Sequence, residues 1–592
     1  MLRTQSRLLA ALLLGGFLFV FALAGTANAY GATPPAAGDQ VTFFVDSSYD
    51  IRNRSQVSAT LLFVGSESYI FVENEYFNRL SPEDQQAFRN QAKSLQETFD
   101  TLIEPRLAQL LGTPWTPGID NDPKITILFQ EIDLSAGGYV NTANEFPRST
   151  TPNSNEREMV YLNVAAVNSP RLKSFLAHEF QHLITFGSKE RVLNRNDDIW
   201  LNELRSEVAP SLLGFDDPFS GSNLERRLNA FLQNPFDPLA EWKNAPADYA
   251  TVNLFGQYLL GRFGQTFFQE MLRVPSVGME SFDAALRAVG SNAAFLDVFR
   301  DWVIASVLND SAISDGRWGY ADSDLRNFRV SPNATYGSGA FSLVKLSVAS
   351  SMKDWAPQVY RFSEGDGRSL KVTFLTAVQP NAFQVPYIFR RVNQSVSEIS
   401  VLTLTNGSGT VFLPDFGREI TEATFVPMWV GKRSNFSAND PAGFFSFSAE
   451  ATREVPKTQE GSPMVVSPQV FTPSFPDGSL IRANNDFKVY IVKGRFRRHI
   501  LDAKIFSFYP HLGFEKVNVV SPEAVAAYQE SFWVRADGDP KVYEVNGDKS
   551  RHWLNMTAEE FTTSGRVWDA VYIINKVERD FYALGADVKF TP

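Results

Sequence analysis

His178, Glu179 and His182 stand together in the run His178-Glu179-Phe180-Gln181-His182. On a helix, side chains four residues apart share a face, so both imidazoles can reach one metal ion. Glu179 sits beside the first of them, where its carboxylate can hold a water at that ion and take its proton. Zinc suits such a pair, because it binds neutral imidazole and brings the pKa of a bound water to about 7. The chain has five histidines in all, so two at this spacing around a glutamate are a rare product of composition. A third protein ligand is needed to complete a site with one open position.

These side chains work only on elements that hold them still. The apolar spacing predicts a helix over residues 170–186, with Leu172, Phe175, Leu176, Leu183 and Ile184 as its buried face. A second helix is expected after Asp197-Asp198, running to about Leu212, and others over 224–232, 249–263 and 294–307. Before them, strand-like runs occupy 41–45, 70–72, 124–129 and 159–163. Ser81-Pro82-Glu83-Asp84 opens an early helix towards Leu111: Ser81 caps it, Pro82 suits the first turn, and the acids favour the positive end. Strands with an early helix, then a helical half, imply an α+β region ending near residue 325.

Downstream of the histidines, Ile199-Trp200-Leu201-Asn202-Glu203-Leu204-Arg205-Ser206-Glu207-Val208-Ala209 resembles the WLNEGxAE segment of gluzincin peptidases. The resemblance implies Glu203 as the third zinc ligand. It implies Glu207, one turn on, as the carboxylate that accepts a hydrogen bond from a ligating histidine, here expected to be His178. A solvated acidic helix face is the competing reading of two such glutamates, and Trp200, Leu201, Leu204 and Val208 argue for a partly buried helix. The metzincin pattern is closed, since Thr185 and Ser188 hold the positions of its glycine and third histidine. Where gluzincins have glycine after the ligand glutamate, this chain has Leu204 and then Arg205, for which a cleft and a surface position are both open. Residues 138–263 carry the match, and the region from about 40 to 325 resembles the hyicolysin-like branch of secreted bacterial metallopeptidases. The resemblance implies a zincin-type α+β domain holding Zn2+ at His178, His182 and Glu203. It also implies endopeptidase action on a protein or peptide substrate, with Glu179 as general base.

Peptide hydrolysis also needs a donor for the developing oxyanion. No histidine lies between His182 and His499, so a histidine donor is absent. Asp248-Tyr249-Ala250 through Leu254-Phe255 is similar to a Tyr-Gly-x-x-x-Leu-Phe segment of related secreted peptidases, which makes Tyr249 the candidate. A packing tyrosine at a helix start is the competing reading, and Tyr258 is a weaker second choice. Related zincins bind substrate along an edge strand, which residues 137–141 or 159–163 can supply.

The remaining sequence sets the context. The 592 residues carry a net charge of -11 and no basic stripe, which argues against a nucleic-acid partner. Arg3 and Arg7, the apolar run 8–23 and Ala27-Asn28-Ala29 read as a signal peptide over 1–29. An uncleaved anchor is the alternative, though the run is short beside the roughly 20 residues a span needs. With no cysteine, thiolate metal sites, cysteine nucleophiles and disulfides are excluded. The expected organisation is a metallopeptidase domain over 30–325, a β-sandwich over 326–455, a linker over 456–476 and a tandem β-rich repeat over 477–533 and 534–592. The repeat shows in Ile481-Arg482-Ala483 against Val534-Arg535-Ala536, Lys488-Val489-Tyr490 against Lys541-Val542-Tyr543, and Arg498-His499 against Arg551-His552. Its expected role is attachment to a cell-surface or cell-wall ligand, or substrate capture, for a secreted protein without a further membrane span. Two other readings compete with a secreted zinc endopeptidase. One is an adhesion protein whose peptidase-like domain only stabilises the fold, and an intact Glu179 argues against it. The other is an aminopeptidase, for which the usual GxMEN-type stretch is missing.

Overall fold

The computed structural model describes residues 35–589 except 134–135, 377–381, 393, 395–396, 454–461, 464–474, 485, 521, 527 and 565. The expected signal peptide and most of the expected linker lie outside the described residues. Six strands form the first sheet: β1 (Gln40–Phe44), β2 (Gln56–Val64), β3 (Ser68–Glu73), β4 (Ile125–Gln130), β5 (Gly138–Val140) and β6 (Met159–Asn163). Their order is β1-β2-β3-β4-β6-β5. β3, β4 and β6 run parallel, and β5 lies antiparallel to β6 at the edge. β3, β4 and β6 are buried along their whole length, which is why they read as unbroken apolar runs. Of the two stretches considered for an edge, only 137–141 supplies one. Met159–Asn163 is interior, paired on both sides.

Helices cover one face of this sheet. Pro82–Thr98 begins under the Ser81 side chain, which accepts from the Asp84 amide. It continues through a π turn at Phe99–Ile103 into Glu104–Leu111. Phe99 meets Phe180 edge-on at 5.0 Å and so sets this helix against the histidine helix, Leu172–Thr185. The glutamate helix, Ile199–Leu212, packs between the histidine helix and the long helix Pro246–Arg273, which kinks at Gly264 (φ 70°). Close approach on the far side comes from Gly256: a Cβ there would stand 2.4 Å from Val208 Cγ2. Leu204 lies in the same contact and is fully buried.

Arg205 takes neither position left open for it. Two residues along a helix turn a side chain about 200° from Glu203, so Arg205 faces the interior. It is 1% exposed and paired with Asp197 at 2.8 Å, and Asp197 also accepts from the Gly278 amide at 2.6 Å. Burial of that charge is tolerated because it is paired.

Beyond Phe295–Leu308 the chain is β-rich. Two sheets between residues 334 and 463 pack on a shared aromatic core, in which Phe362 and Phe425 of one face Phe374 and Phe447 of the other. Trp355 inserts its ring against Phe295 at 4.6 Å and Phe299 at 5.2 Å, joining this part to the helices. Two smaller sheets follow. Each starts from a central antiparallel trio flanked by parallel strands, Leu480–Ala483, Tyr490–Lys493 and Phe496–His499 in the first and Trp533–Ala536, Val542–Val545 and Ser550–Asn555 in the second. A buried pair from Arg498 to Glu578, 2.7 Å, ties one to the other. Among the described residues no helix is long and apolar enough to cross a membrane.

Candidate metal centre

His178 and His182 lie one turn apart on the histidine helix, and Glu203 reaches them from the neighbouring helix. Nε2 of His178 is 3.2 Å from Glu203 Oε2, Nε2 of His182 is 3.7 Å from the same oxygen, and the two nitrogens are 3.3 Å apart. A tetrahedral zinc with bonds of about 2.0–2.1 Å keeps its ligand atoms about 3.3 Å apart, so the three donors already stand near that spacing. Glu203 Oε2 is buried and faces only the two Nε2 atoms, so its charge is met by an imidazolium or by a cation held among the three groups. Among the described residues no other three metal-binding side chains converge in this way.

The outer nitrogens of both rings are held. His178 Nδ1 lies 3.4 Å from Glu207 Oε1. His182 Nδ1 lies 3.1 Å from both Asn202 Oδ1 and Ser206 Oγ. Ser206 donates its hydroxyl proton to Gln181 Oε1 at 2.6 Å, so it can only accept from His182. Both rings therefore carry their proton on Nδ1 and offer Nε2 to a metal. Asn202, Ser206 and Gln181 belong to the motif segments but received no role from the sequence, because Ser206 and its partner Gln181 are distant in the chain.

Glu207 is itself clamped. Arg227 donates Nε to Oε2 at 2.8 Å and Nη2 to Oε1, and Asn223 and Asn253 donate to Oε2 at 3.2 and 3.1 Å. Burial alone would raise the pKa of Glu207, but Arg227 and then His178 outweigh it and bring it to about 2. Glu203 is likewise buried, yet His182 and His178 lower its pKa. Glu179 goes the other way: burial first, with Glu203 and Glu207 adding, raises it to about 8, against the pull of His178. A carboxyl so placed takes a proton more readily than an ordinary glutamate. Gly138 of β5 permits this closeness, since a Cβ there would meet Glu179 Cγ at 3.1 Å and Tyr161 O at 2.6 Å.

Tyr249 flanks the group. Its ring centroid is 6.4 Å from that of His178, Arg227 lies over its face at 4.7 Å, and its hydroxyl donates to Asn244 Oδ1 at 2.6 Å. Burial, then Glu203 and Glu179, raises its pKa, so it stays a protonated donor. Tyr258 is elsewhere, buried with its hydroxyl on Arg317 O. Tyr49, from the loop after β1, was not anticipated, though it lies close enough for Glu179 and Glu203 to add to the effect of burial on its hydroxyl.

No family model matches the chain. The neutral metalloprotease ShpI of Staphylococcus hyicus is 25% identical over 271 residues, which are 42% of this chain and 58% of that protein. The chain thus spans less than two thirds of that curated relative's length. Among solved structures, a family GH115 4-O-methyl-α-glucuronidase aligns over 63% of this chain and 62% of its own at 10% identity, with a TM-score of 0.12, too low to carry an argument. The chain is similar over part of its length to a metalloprotease, and that distant likeness hints at peptidase function and a metal.

Proposed function

We propose that the chain is a secreted, zinc-dependent endopeptidase of the gluzincin kind, in the hyicolysin-like branch, with a zincin-type catalytic domain. The observation that carries the reading is the convergence of His178, His182 and Glu203 on one point, with the Glu203 oxygen buried between the two imidazoles. The partial likeness to a metalloprotease supports it. Zinc, when bound, supplies a Lewis acid that polarises the scissile carbonyl and acidifies water. Glu179 accepts the proton of the attacking water and passes it to the leaving amine. Tyr249 releases Asn244 and donates its hydroxyl to the developing oxyanion. Glu207, fixed by Arg227, keeps His178 turned towards the site. The free edge of β5, one strand from β6 and against Glu179, aligns an extended peptide by backbone pairing.

The rest of the organisation is proposed on the same footing: export with cleavage after Ala29, a catalytic region to about residue 325, a β-sandwich, and terminal repeats that engage a cell-surface ligand or capture substrate. A purely adhesive role is not favoured, because a scaffold has no use for a buried carboxylate aimed at two imidazoles. The test is metal content. Purified chain is expected to hold one zinc, to lose it with Glu203→Ala, and to lose casein hydrolysis with a chelator and regain it with zinc. Full zinc content in Glu203→Ala, or hydrolysis indifferent to chelation, contradicts the reading.

A further inference from the structure

Two arginines follow one another on the helix Asn223–Gln233, and one carboxylate serves only the second of them. Arg227 takes Glu207 with two nitrogens. Arg226 is left with an amide: its Nε and Nη2 both donate to Asn223 Oδ1, at 3.2 and 2.7 Å. Asn223 in turn donates to Glu207 Oε2 and so stands between Arg226 and that carboxylate. Among the described residues Arg226 forms no ion pair, although the chain carries a net charge of -11. Burial, then Arg227, pulls its pKa down to about 10 against the pull of Glu207. The guanidinium is therefore still charged at neutral pH, and under-compensated. Helix stability does not account for it, because the first turns of a helix favour acids over bases. A partly buried cation without a counter-charge calls for another reason.

Its place in the cleft supplies one. The Arg226 guanidinium lies over the Phe175 ring at 5.6 Å. That ring also lies against the start of the edge strand, since a Cβ at Gly137 would stand 2.7 Å from Phe175 Cγ. One residue on, a Cβ at Gly138 would meet Glu179 Cγ at 3.1 Å. Phe175 precedes Glu179 by one turn of the histidine helix and shares its face. A step back along the strand, from 138 to 137, thus matches a turn back along the helix, from Glu179 to Phe175. Phe175 connects the edge strand to Arg226 one turn from the reacting centre. A helical turn rises about 5.4 Å and an extended peptide about 3.3 Å per residue, so the peptide residue above Phe175 is one or two removed from the scissile bond. Arg171, whose carbonyl accepts from the Phe175 amide, adds a second arginine at this end, and its Nε is buried without a hydrogen bond.

We propose that Arg226 is a specificity-determining residue of this site, its guanidinium taking the side-chain carboxylate of an aspartate or glutamate one or two residues from the scissile bond. This rests on the peptidase reading and names the class of peptide that the site prefers. Nη1 takes no part in the bonds to Asn223, and the planar fork suits a carboxylate. Phe175 covers part of the guanidinium, so a charge pair formed there is screened less than one on open surface. Arg227 cannot serve in its place, because Glu207 already holds it behind His178.

The test measures kcat/KM of zinc-loaded full-length protein on a set of quenched fluorescent peptides. All share one sequence and are acetylated and amidated, so that no terminal carboxylate is present. A single glutamate is moved along the sequence, and each peptide has a glutamine twin. Wild type is expected to favour glutamate over glutamine about 10- to 100-fold at one position within two residues of the cleaved bond, the effect of a charge-assisted hydrogen bond. Arg226→Gln is expected to bring that ratio to about one, Arg226→Lys to keep part of it, and Arg226→Glu to turn it against glutamate. A wild-type ratio near one at every position overturns the proposal, as does a preference that survives in Arg226→Gln. Equal loss of both twins in Arg226→Gln, with the ratio intact, also overturns it and means a structural role. In each of these cases wild type still cleaves, so the peptidase reading stands. Zinc-loaded wild type that cleaves neither the peptides nor casein sinks that reading and the proposal together.

Discussion

Arg227 grips Glu207 with two nitrogens, Nε at 2.8 Å from Oε2 and Nη2 on Oε1, and Glu207 faces Nδ1 of His178 at 3.4 Å. This places a fully buried carboxylate, kept ionised by the guanidinium, behind one of the two imidazoles. The metal-facing nitrogen of His178 is therefore set by a residue on a third helix, Asn223–Gln233.

Glu207→Gln keeps the shape and removes the charge. Zinc affinity is expected to fall about 10- to 100-fold, as for other partners of ligating histidines. Competition against a fluorescent chelator reads this directly. Affinity equal to wild type would show that Glu207 does not hold His178.

Metal loading should depend on pH with a definite sign. Without metal, burial pulls the His178 pKa down, but Glu203, Glu179 and Glu207 outweigh it and raise it from 6.5 to about 9. Zinc needs the neutral ring, so loading expels that proton. Below pH 9 affinity should climb with pH, by up to about tenfold per pH unit, and level off above it. An affinity that is flat between pH 6.5 and 9 contradicts this.

Gly256 carries the contact between the glutamate helix and the long helix. Gly256→Ala gains about 0.5–1 kcal/mol of helix preference. It also forces a methyl to within 2.4 Å of Val208 Cγ2, a stiff, buried, β-branched neighbour. Overpacking costs about 1–3 kcal/mol, so the clash wins and the thermal midpoint falls. Adding Val208→Ala should recover part of the loss. A higher midpoint in the single variant rules the packing argument out.

Tyr249→Phe removes the proposed oxyanion donor and nothing from the metal. Loss of about 10²- to 10³-fold in kcat is expected, with KM and zinc content near wild type. If KM moves and kcat does not, Tyr249 acts in binding.

The elements that hold the site were legible where local chemistry marks them. Asp197-Asp198 announces the glutamate helix at Ile199, and Ser81-Pro82 the early helix at Pro82. β2 is not among the expected strands, although it alternates as a half-buried strand should, with Val57, Ala59 and Leu61 buried between Gln56, Ser58 and Thr60. The long helix passes its expected end at 263 and Gly264 after it. The chain only kinks there and re-enters helix to Arg273, since Phe267, Phe268 and Met271 find a core to bury in. At the site, the three converging donors were visible as motif residues. Arg227 and Ser206 were not, because nothing local distinguishes a side chain whose partner lies 20 to 25 positions away.

The most direct test compares casein hydrolysis by wild type and Glu179→Gln at equal zinc content. The account predicts that both proteins bind one zinc and that only wild type cleaves, with the variant down by at least about 10²-fold. Cleavage by zinc-loaded Glu179→Gln at the wild-type rate would contradict it.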